Sequence, residues 1–446
     1  MADQTLFLLE ELVKAARRKG ADAADAVAVD ARSRGVSWRE GQLEDVEGSE
    51  GEDIGLRVLI GKQQAMVSTS DRRPENLKEL VERTFAMAKA VPEDEFCGLA
   101  PEERLHKGPF AELDLYDDTE VSADTLRQMA AEAEDAARSV EGVTNSDGAG
   151  ASASTWAISL VTSHGFSGHY RGSSFSTSVS AVAGNGTGME RDYDFSSKRH
   201  FEDLASPSEI GRHAGEKAVK RLNPTKIDSG QYTVVFDPCE SKSLLGHFSG
   251  AISGASVARG TSFLKDEMAQ KILSSGITIV DDPLIVRGLS SKLFDGEGVE
   301  VSKANLVQDG VLKSWLLNSA TARQLGLPVT GHGSRGTSSA PGISSSNLYM
   351  EPGTLSPTEL YADVKDGLYI TELIGMGVNG VTGDYSRGAA GFRIRNGKLC
   401  EPVSEVTIAG NLKDMFMALV PASDLEFRYG TNAPTVRVDG MTIAGS

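Results

Sequence analysis

Seven histidines are the first candidates for metal or acid–base chemistry: His106, His164, His169, His200, His213, His247 and His332. An economical zinc centre takes two histidines one helical turn apart, with a glutamate beside the first as general base. None of the seven is followed by glutamate, and no two stand three or four residues apart. His164 and His169 are five apart in a strand-like run, which puts them on opposite faces. The spacing therefore assigns this chain no catalytic residue and no metal ligand. Cys239-Glu240, with His247 further on, admits two readings. One is a thiol–imidazole pair meeting across a helix start. The other is a buried cysteine and an ordinary helix histidine, which needs no third group to orient the ring.

The densest grouping of polar chemistry lies between Gly377 and Leu412. The segment opens as a Gly-rich loop, Gly377 to Gly388, and becomes a hairpin around Asn396-Gly397, a pair suited to positive φ at both central positions. The flanking FRIR alternates, so Phe392 and Ile394 face one way and Arg393 and Arg395 the other. Gly383-Asp384-Tyr385-Ser386-Arg387-Gly388 sets an acid, a phenol and a base where the backbone can approach a ligand closely. In one reading His247, Asn379, Gly383, Asp384, Tyr385 and Arg387 line a peptide channel. Arg387 then meets a carboxylate, and the glycine backbone accepts an extended chain by β-augmentation. In the other reading an Asp384–Arg387 ion pair and helix-like caps lock the loop, which still shapes a cavity. The strings GAGAS (148–152) and GNGTG (184–188) lack a following GK[ST] and read as strand-edge turns, not phosphate loops. The acidic run EDVEGSEGED (44–53) reads as a solvated face or loop, with docking as its rival.

The elements that must position these residues show a repeat. Leu8, Leu9, Leu12, Val13 and Ala16 mark an amphipathic helix ending at Gly20. The alternating segments AVAVDARSR, VSWREGQLEDVE, IGLRVLI and QAMVSTS follow, and then a helix from Pro74 with Leu77, Leu80, Val81, Phe85 and Ala88 on one side. After a Pro- and acid-rich connector (91–119) the pattern restarts. A helix after Ser122 carries Leu126, Met129, Ala130, Ala133 and Ala137, and the strand-like runs TWAISLVTS and SSFSTSVSAVAG come next. The closing helix opens with the capping box Ser206-Pro207-Ser208-Glu209 and buries Ile210, Ala214, Ala218 and Leu222. Helix, antiparallel strands, helix, twice over, predicts an α+β region across residues 1–222. NPTKIDSG (223–230) reads as a boundary. Residues 231–446 read as a β-rich barrel-like or sandwich domain with a few helices, including a hairpin at Asp309-Gly310. The Gly/Ser/Pro-rich stretch 326–347 has the length of a functional or mobile loop.

Composition narrows the classes. The chain of 446 residues, 39% hydrophobic, is ample for a sizeable core and two or three domains. A formal net charge of −18 disfavours nucleic acid as a partner, because phosphate binding needs a concentrated basic surface. The opening MADQTLFLLEELVKAARRKG is broken by Glu10 and Glu11 and reads as no signal peptide. No 18-residue apolar run predicts a membrane span. Cys97, Cys239 and Cys400, odd in number and far apart, suit a reduced cytoplasm better than a disulfide framework.

Three stretches, GHFSGAISGASVARGTSFL, TARQLGLPVTGHG, and TGDYSRGAAGF through TIAGNLKDM, together resemble the PmbA/TldE branch of the TldD/PmbA family. The resemblance spans essentially the whole chain, to the final DGMTIAG. That family was first labelled as modulators of DNA gyrase and is understood as a proteolytic system. Its catalytic TldD branch carries HExxxH in the region similar to residues 237–264, and a late cysteine completes the zinc site. Here LGHFSG, Leu245 to Gly250, stands in that place, and no cysteine follows Cys400. The resemblance implies a cytoplasmic TldE-like subunit without a cofactor of its own. Its partner would be a TldD-like zinc peptidase that carries the zinc, and the pair would cleave unfolded or modified peptides, such as microcin precursors. This chain would supply half of an enclosed chamber through its β-rich second half, and the same surface could pair with itself as a two-fold dimer in the absence of the partner. The rival reading is a homodimeric peptide-binding or regulatory protein, gyrase-modulator-like and without a proteolytic role. A third is an independent hydrolase with an unrecognised site.

Overall fold

The computed structural model describes residues 2–445. In the N-terminal region the periodicity of the sequence becomes a doubled unit. The first copy is α1 (Ala2–Lys19), β1 (Ala23–Arg39), β2 (Gln42–Ile60), β3 (Gln63–Thr69) and α2 (Pro74–Ala90). The second is α3 (Ala123–Arg138), β4 (Val143–Thr162), β5 (Ser167–Ala183), β6 (Glu190–Lys198) and α4 (Pro207–Lys220). The six strands form one antiparallel sheet in the order β3-β2-β1-β4-β5-β6, so the first strands of the two copies pair at its centre. Leu9, Leu12, Leu80 and Phe85 pack α1 and α2 on one part of the sheet. Leu126, Ala133, Ile210 and Ala214 pack α3 and α4 on the other. Ser206 caps α4 by accepting the Glu209 amide, while the reciprocal capping box forms elsewhere, at Ser356 and Glu359.

Three sequence expectations change here. AVAVDARSR and VSWRE are one strand, which turns only at Glu40-Gly41, where φ is positive at both residues. The acidic run is a solvated face, as one of its readings had it, but it is strand and not loop: it forms the outer part of β2. Because β3 pairs only with Ile54–Ile60, residues 42–53 are an exposed sheet edge. Charge along such an edge discourages pairing with another chain. GAGAS lies inside β4 and not at a turn, and Gly148 (φ 108°) sits at an irregularity in the register with β5.

Beyond β7 (Gly230–Phe236) and α5 (Pro238–Ala251) come the short α6 (Gly254–Ala258) and a small sheet. That sheet contains β8 (Ile279–Asp282), β9 (Ala304–Gln308), β10 (Val311–Leu312), β13 (Asn347–Met350) and β18 (Thr431–Asn432). The tight turn at Asp309-Gly310 (φ 49° and 75°) joins β9 to β10. Between them in sequence and β13 lie α7 (Ser319–Leu325) and the two-stranded ribbon β11 (Gly333–Ser334) and β12 (Gly342–Ile343). After α8 (Pro357–Leu360) the chain builds β14 (Asp366–Ile374), β15 (Asp384–Arg395), β16 (Lys398–Asn411), α9 (Leu412–Ala418), β17 (Leu419–Pro421) and β19 (Val436–Ala444). The order β16-β15-β14-β7-β19, with β19 pairing back to β16, closes a five-stranded barrel. The fold is thus α+β with a β-rich, barrel-containing second half.

The main apolar core crosses between the halves: Val27, Leu160 and Phe166 pack in one cluster with Phe294, Phe248 and Ile370. The connector after α2 is strapped down as well. The Arg323 guanidinium donates to the carbonyls of Phe96 (2.7 Å) and Leu99, and Leu105 bridges to Val299. The stretch 326–347, expected as a functional or mobile loop, is a packed brace. Its Arg335 reaches the first sheet and pairs with Asp25, which also accepts from Arg57 Nε at 2.8 Å. Burial opposes ionisation of Asp25, but the two guanidiniums outweigh it and hold the carboxyl below its usual range. A side chain at Gly55 would collide with the Thr337 carbonyl, so glycine lets the brace cross β2. His332 is buried in the same segment, with Thr330 Oγ1 at 2.8 Å and the Asp281 carboxylate at 3.3 Å.

Candidate functional site

Helix α5 starts where β7 ends because Asp237 caps it, accepting the Cys239 amide at 2.9 Å, with Pro238 at the first helical position. Tyr369 Oη donates to the other oxygen of Asp237 at 3.0 Å, which ties the cap to the barrel. Leu244, Leu245 and Phe248 turn one face of the helix into the core. Glu240, Ser243, His247 and Gly250 follow one another at helical spacing on another side. A Cβ placed at Gly246 or Gly250 would meet nothing within 4 Å, so this side opens to space.

Strand β15 supplies the opposing groups. Its two-residue period sends Tyr385 and Arg387 one way and Asp384 and Ser386 the other. The rings of His247 and Tyr385 meet edge to face, with centroids 6.0 Å apart. Tyr385 Oη and His247 Nε2 are both buried with no hydrogen-bond partner among the described residues. Such atoms are costly, at roughly 1–3 kcal/mol each, and call for an explanation. Burial first, and Arg387 second, lower the His247 pKa, which leaves the imidazole neutral near pH 7. Burial raises the Tyr385 phenol well above its usual range. Glu240 forms no ion pair among the described residues. Burial pushes its carboxyl up to about 7, with Asp237 and Glu372 adding to the shift and Lys242 and Arg387 opposing it. Arg387 also has no acid partner among the described residues; its Nε lies 3.5 Å from the Ile374 carbonyl.

Of the six residues singled out in the sequence, the fold brings His247, Tyr385 and Arg387 together. The other three build the adjoining loop. Asn379 Oδ1 accepts the Val381 amide at 2.9 Å and so turns into its own loop. Gly383 takes a positive φ of 85° close to the Asn411 side chain. Asp384 is held by Thr382 Oγ1 at 2.6 Å and Asn411 Nδ2 at 3.2 Å. The expected Asp384–Arg387 ion pair does not form, because the segment is strand and three residues along a strand separate its faces. Nor is Cys239 paired with His247. Eight helical residues put them ~12 Å apart along the axis, and the Cys239 thiol accepts from Tyr429 Oη at 3.3 Å. His164 sits in the β4–β5 turn and contacts the Ala100 carbonyl, away from His169, which meets Ser159 Oγ. Sequence reasoning named Glu240 only beside Cys239. Its spacing of two helical turns before His247 was the signal that it belongs to the same face.

The donor set does not suit zinc. One imidazole stands alone, with its nearest carboxylate on the same face two turns away. Among the described residues no three His, Cys, Asp or Glu side chains are grouped to hold a metal ion. The arrangement can accept hydrogen bonds, present a cation and offer a carboxyl that changes charge near neutrality. At the end of β14 and in the adjoining loop, Ile374, Met376 and Val381 are exposed apolar side chains, with Met376 93% exposed.

Three family models match consecutive parts of the chain: PmbA/TldA metallopeptidase domain 1 over residues 24–88, the central domain over 116–222 and the C-terminal domain over 229–445. The metalloprotease PmbA of Escherichia coli O157:H7 is 36% identical, covering 98% of this chain and 96% of that protein. The metalloprotease PmbA homolog of Haemophilus influenzae is 35% identical, covering 97% and 94%. A crystal structure from Bacteroides thetaiotaomicron, described as a candidate modulator of DNA gyrase, superposes with a TM-score of 0.91 at 26% identity, covering 100% of this chain and 99% of that one. TldE from Thermococcus kodakarensis shares the fold with a TM-score of 0.87 at 22% identity, covering 98% and 100%.

Proposed function

The chain belongs to the PmbA/TldE branch of the PmbA/TldD family, and from that premise we propose that it is the non-catalytic subunit of a two-component cytoplasmic peptidase. Its partner is a TldD-like subunit that carries HExxxH and the zinc. This chain contributes a wall of the chamber in which unfolded or modified peptides are cut. The observation that carries the reading is the face of α5. It occupies the stretch similar to the zinc-binding helix of the catalytic branch, yet it offers His247 without companion ligands. What it offers instead is an Arg387 without an acid partner among the described residues, beside His247 Nε2 and Tyr385 Oη, which are buried and have no hydrogen-bond partner there. Those are means of holding a peptide, not of activating water. The relatives' description as metalloproteases fits a role inside a proteolytic assembly. The three free cysteines agree with a reducing compartment, and no helix of the described residues is long and apolar enough to cross a membrane.

Co-expression with a partner bearing HExxxH tests the reading. The pair should hold zinc and cleave unstructured peptides, while this chain alone should do neither. A zinc ion on the isolated chain, one per chain, surviving mild chelation and ligated by His247, would overturn it.

A further inference from the structure

A cavity lies at the other end of α5, in the seam between the two halves. It encloses about 540 Å³, within the roughly 300–1,000 Å³ typical of ligand pockets. Its walls are Tyr193 and Phe195 of β6, Tyr369 of β14, Phe392 of β15 and Leu399 of β16. The acids around it are already engaged. Asp192 faces Arg221 at 3.4 Å, Asp194 accepts from Arg428 at 2.7 Å, and Asp237 holds the α5 cap and Tyr369. Lys217 is drawn to the Tyr193 carbonyl (3.3 Å) and to Asp194 (3.7 Å). A cationic ligand group would have to compete with those pairs, and the one lining cation without a pair among the described residues, Lys220, is exposed to solvent, which screens its pull on an anion. An apolar group meets aromatic and aliphatic wall directly.

The cavity also joins the helix face. Cys239 lines it, and Glu240 follows in the next position. Glu240 lies close enough to Tyr193 to raise its phenol, after burial and alongside Cys239. On its other side Glu240 feels the charge of Arg387. Thr371 Oγ1, also in the cavity wall, is buried with no hydrogen-bond partner among the described residues. We propose that this cavity is a side-chain subsite, which takes one aromatic or large aliphatic residue of an extended peptide whose main chain runs past Glu240 towards Arg387 and His247. The inference rests on the peptide-holding role above and adds to it a preference that the chamber alone does not require. The walls come from both halves, so the subsite exists only in the whole chain.

Fluorescence anisotropy on the full chain, with labelled acetyl-Ala-Ala-X-Ala-Ala-amide peptides where X is Phe, Leu, Ala or Asp, tests this. Burying a large apolar side chain should make the Phe and Leu peptides bind about tenfold or more tighter than the Ala peptide, and the Asp peptide should bind no better than Ala. Leu399→Glu and Tyr193→Ala change half-exposed residues at the mouth, so folding should survive both. Each should erase the preference for Phe and Leu. Arg387→Ala should weaken all four peptides alike and keep their order. Equal binding of all four, or a preference untouched by both mouth variants, overturns the subsite while leaving the peptide-holding role standing. Tighter binding of Asp overturns it as well. Failure of every peptide to bind removes both.

Discussion

Around Asp25 buried charges answer one another; where α5 meets β15, His247 and Tyr385 bury polar atoms that have no partner among the described residues. Asp25, Arg57 and Arg335 are at most 3% exposed, and each charge has an opposite charge within hydrogen-bonding reach. His247 Nε2 and Tyr385 Oη are as inaccessible but have no partner, and Glu240 and Arg387 stand nearby without a direct pair. The first arrangement pairs every charge, although Arg335 Nε has no hydrogen-bond partner among the described residues, and it holds the second half of the chain onto the first sheet. The second leaves a carboxyl and a guanidinium without a direct opposite charge among the described residues, and those are the groups that the proposed peptide would meet.

The contrast breaks most visibly on the structural side. Asp25→Ala leaves two buried guanidiniums facing each other without an anion. Removing one member of a buried ion cluster typically costs about 3–5 kcal/mol. Urea denaturation should show a loss of that size, and the brace 326–347 should become sensitive to proteolysis. A loss below about 1 kcal/mol would mean that Asp25 contributes no more than a surface pair does.

Glu240 gives the next effect, with a defined sign. Its folded carboxyl is pushed up to about 7 from an ordinary 4.5. The stability associated with the protonated group is fully present below the unfolded value and is lost as pH rises through the folded one. Glu240→Gln stays neutral throughout. It should match wild type near about pH 4 and exceed it by roughly 1–3 kcal/mol near about pH 8, the upper figure reduced for partial exposure. Asp295, buried and raised beside Glu297, titrates in both proteins and cancels in the difference. A variant less stable than wild type at high pH would show that the ionised carboxylate has a partner.

The two regions also differ in how far the sequence discloses them. Helices α1 to α4 were legible because Leu, Phe and Ala recur at the helical period. The turns at Asp309-Gly310 and Asn396-Gly397 were legible because each pair accepts positive φ. The brace was not, since Asp25 and Arg335 lie 310 residues apart and nothing local in a Gly/Ser-rich stretch marks its destination. The helix face was half legible. Tyr385 and Arg387 were named, but reading their segment as loop hid the strand alternation that parts Asp384 from Arg387. Edge position likewise decides the acidic run: its exposure was read correctly, its β-structure was not, because alternation disappears where both faces meet water.

Tyr385→Phe sharpens the comparison from the other side with a smaller effect. It deletes a buried hydroxyl that has no partner and keeps the ring against His247. Removing an unsatisfied group relieves part of its desolvation cost, so the variant should be about 1 kcal/mol more stable in urea. It should also lose affinity for peptides if the hydroxyl is held for them. A clear destabilisation would reveal a hydrogen bond to ordered water, and the contrast with the paired charges around Asp25 would then fall.

The smallest change is expected where chemistry would predict the largest. Loss of a group that transfers protons in a transition state typically costs 10²-fold or more. His247 is neutral near pH 7 by virtue of burial and Arg387, and its Nε2 is free, which by themselves would suit a general base. Among the described residues it has no second group to orient the ring, and no His, Cys, Asp or Glu side chains are grouped with it as companion ligands. Its neighbours are the raised phenol of Tyr385 and the cation of Arg387, neither of which takes a proton at neutral pH. His247→Ala, assembled with a partner that carries HExxxH, should therefore keep peptide cleavage within about tenfold of wild type, with the change in KM and not in kcat. A collapse of kcat in a complex that still assembles would place chemistry on this helix and remove the distinction between a wall that holds the peptide and a partner that cuts it.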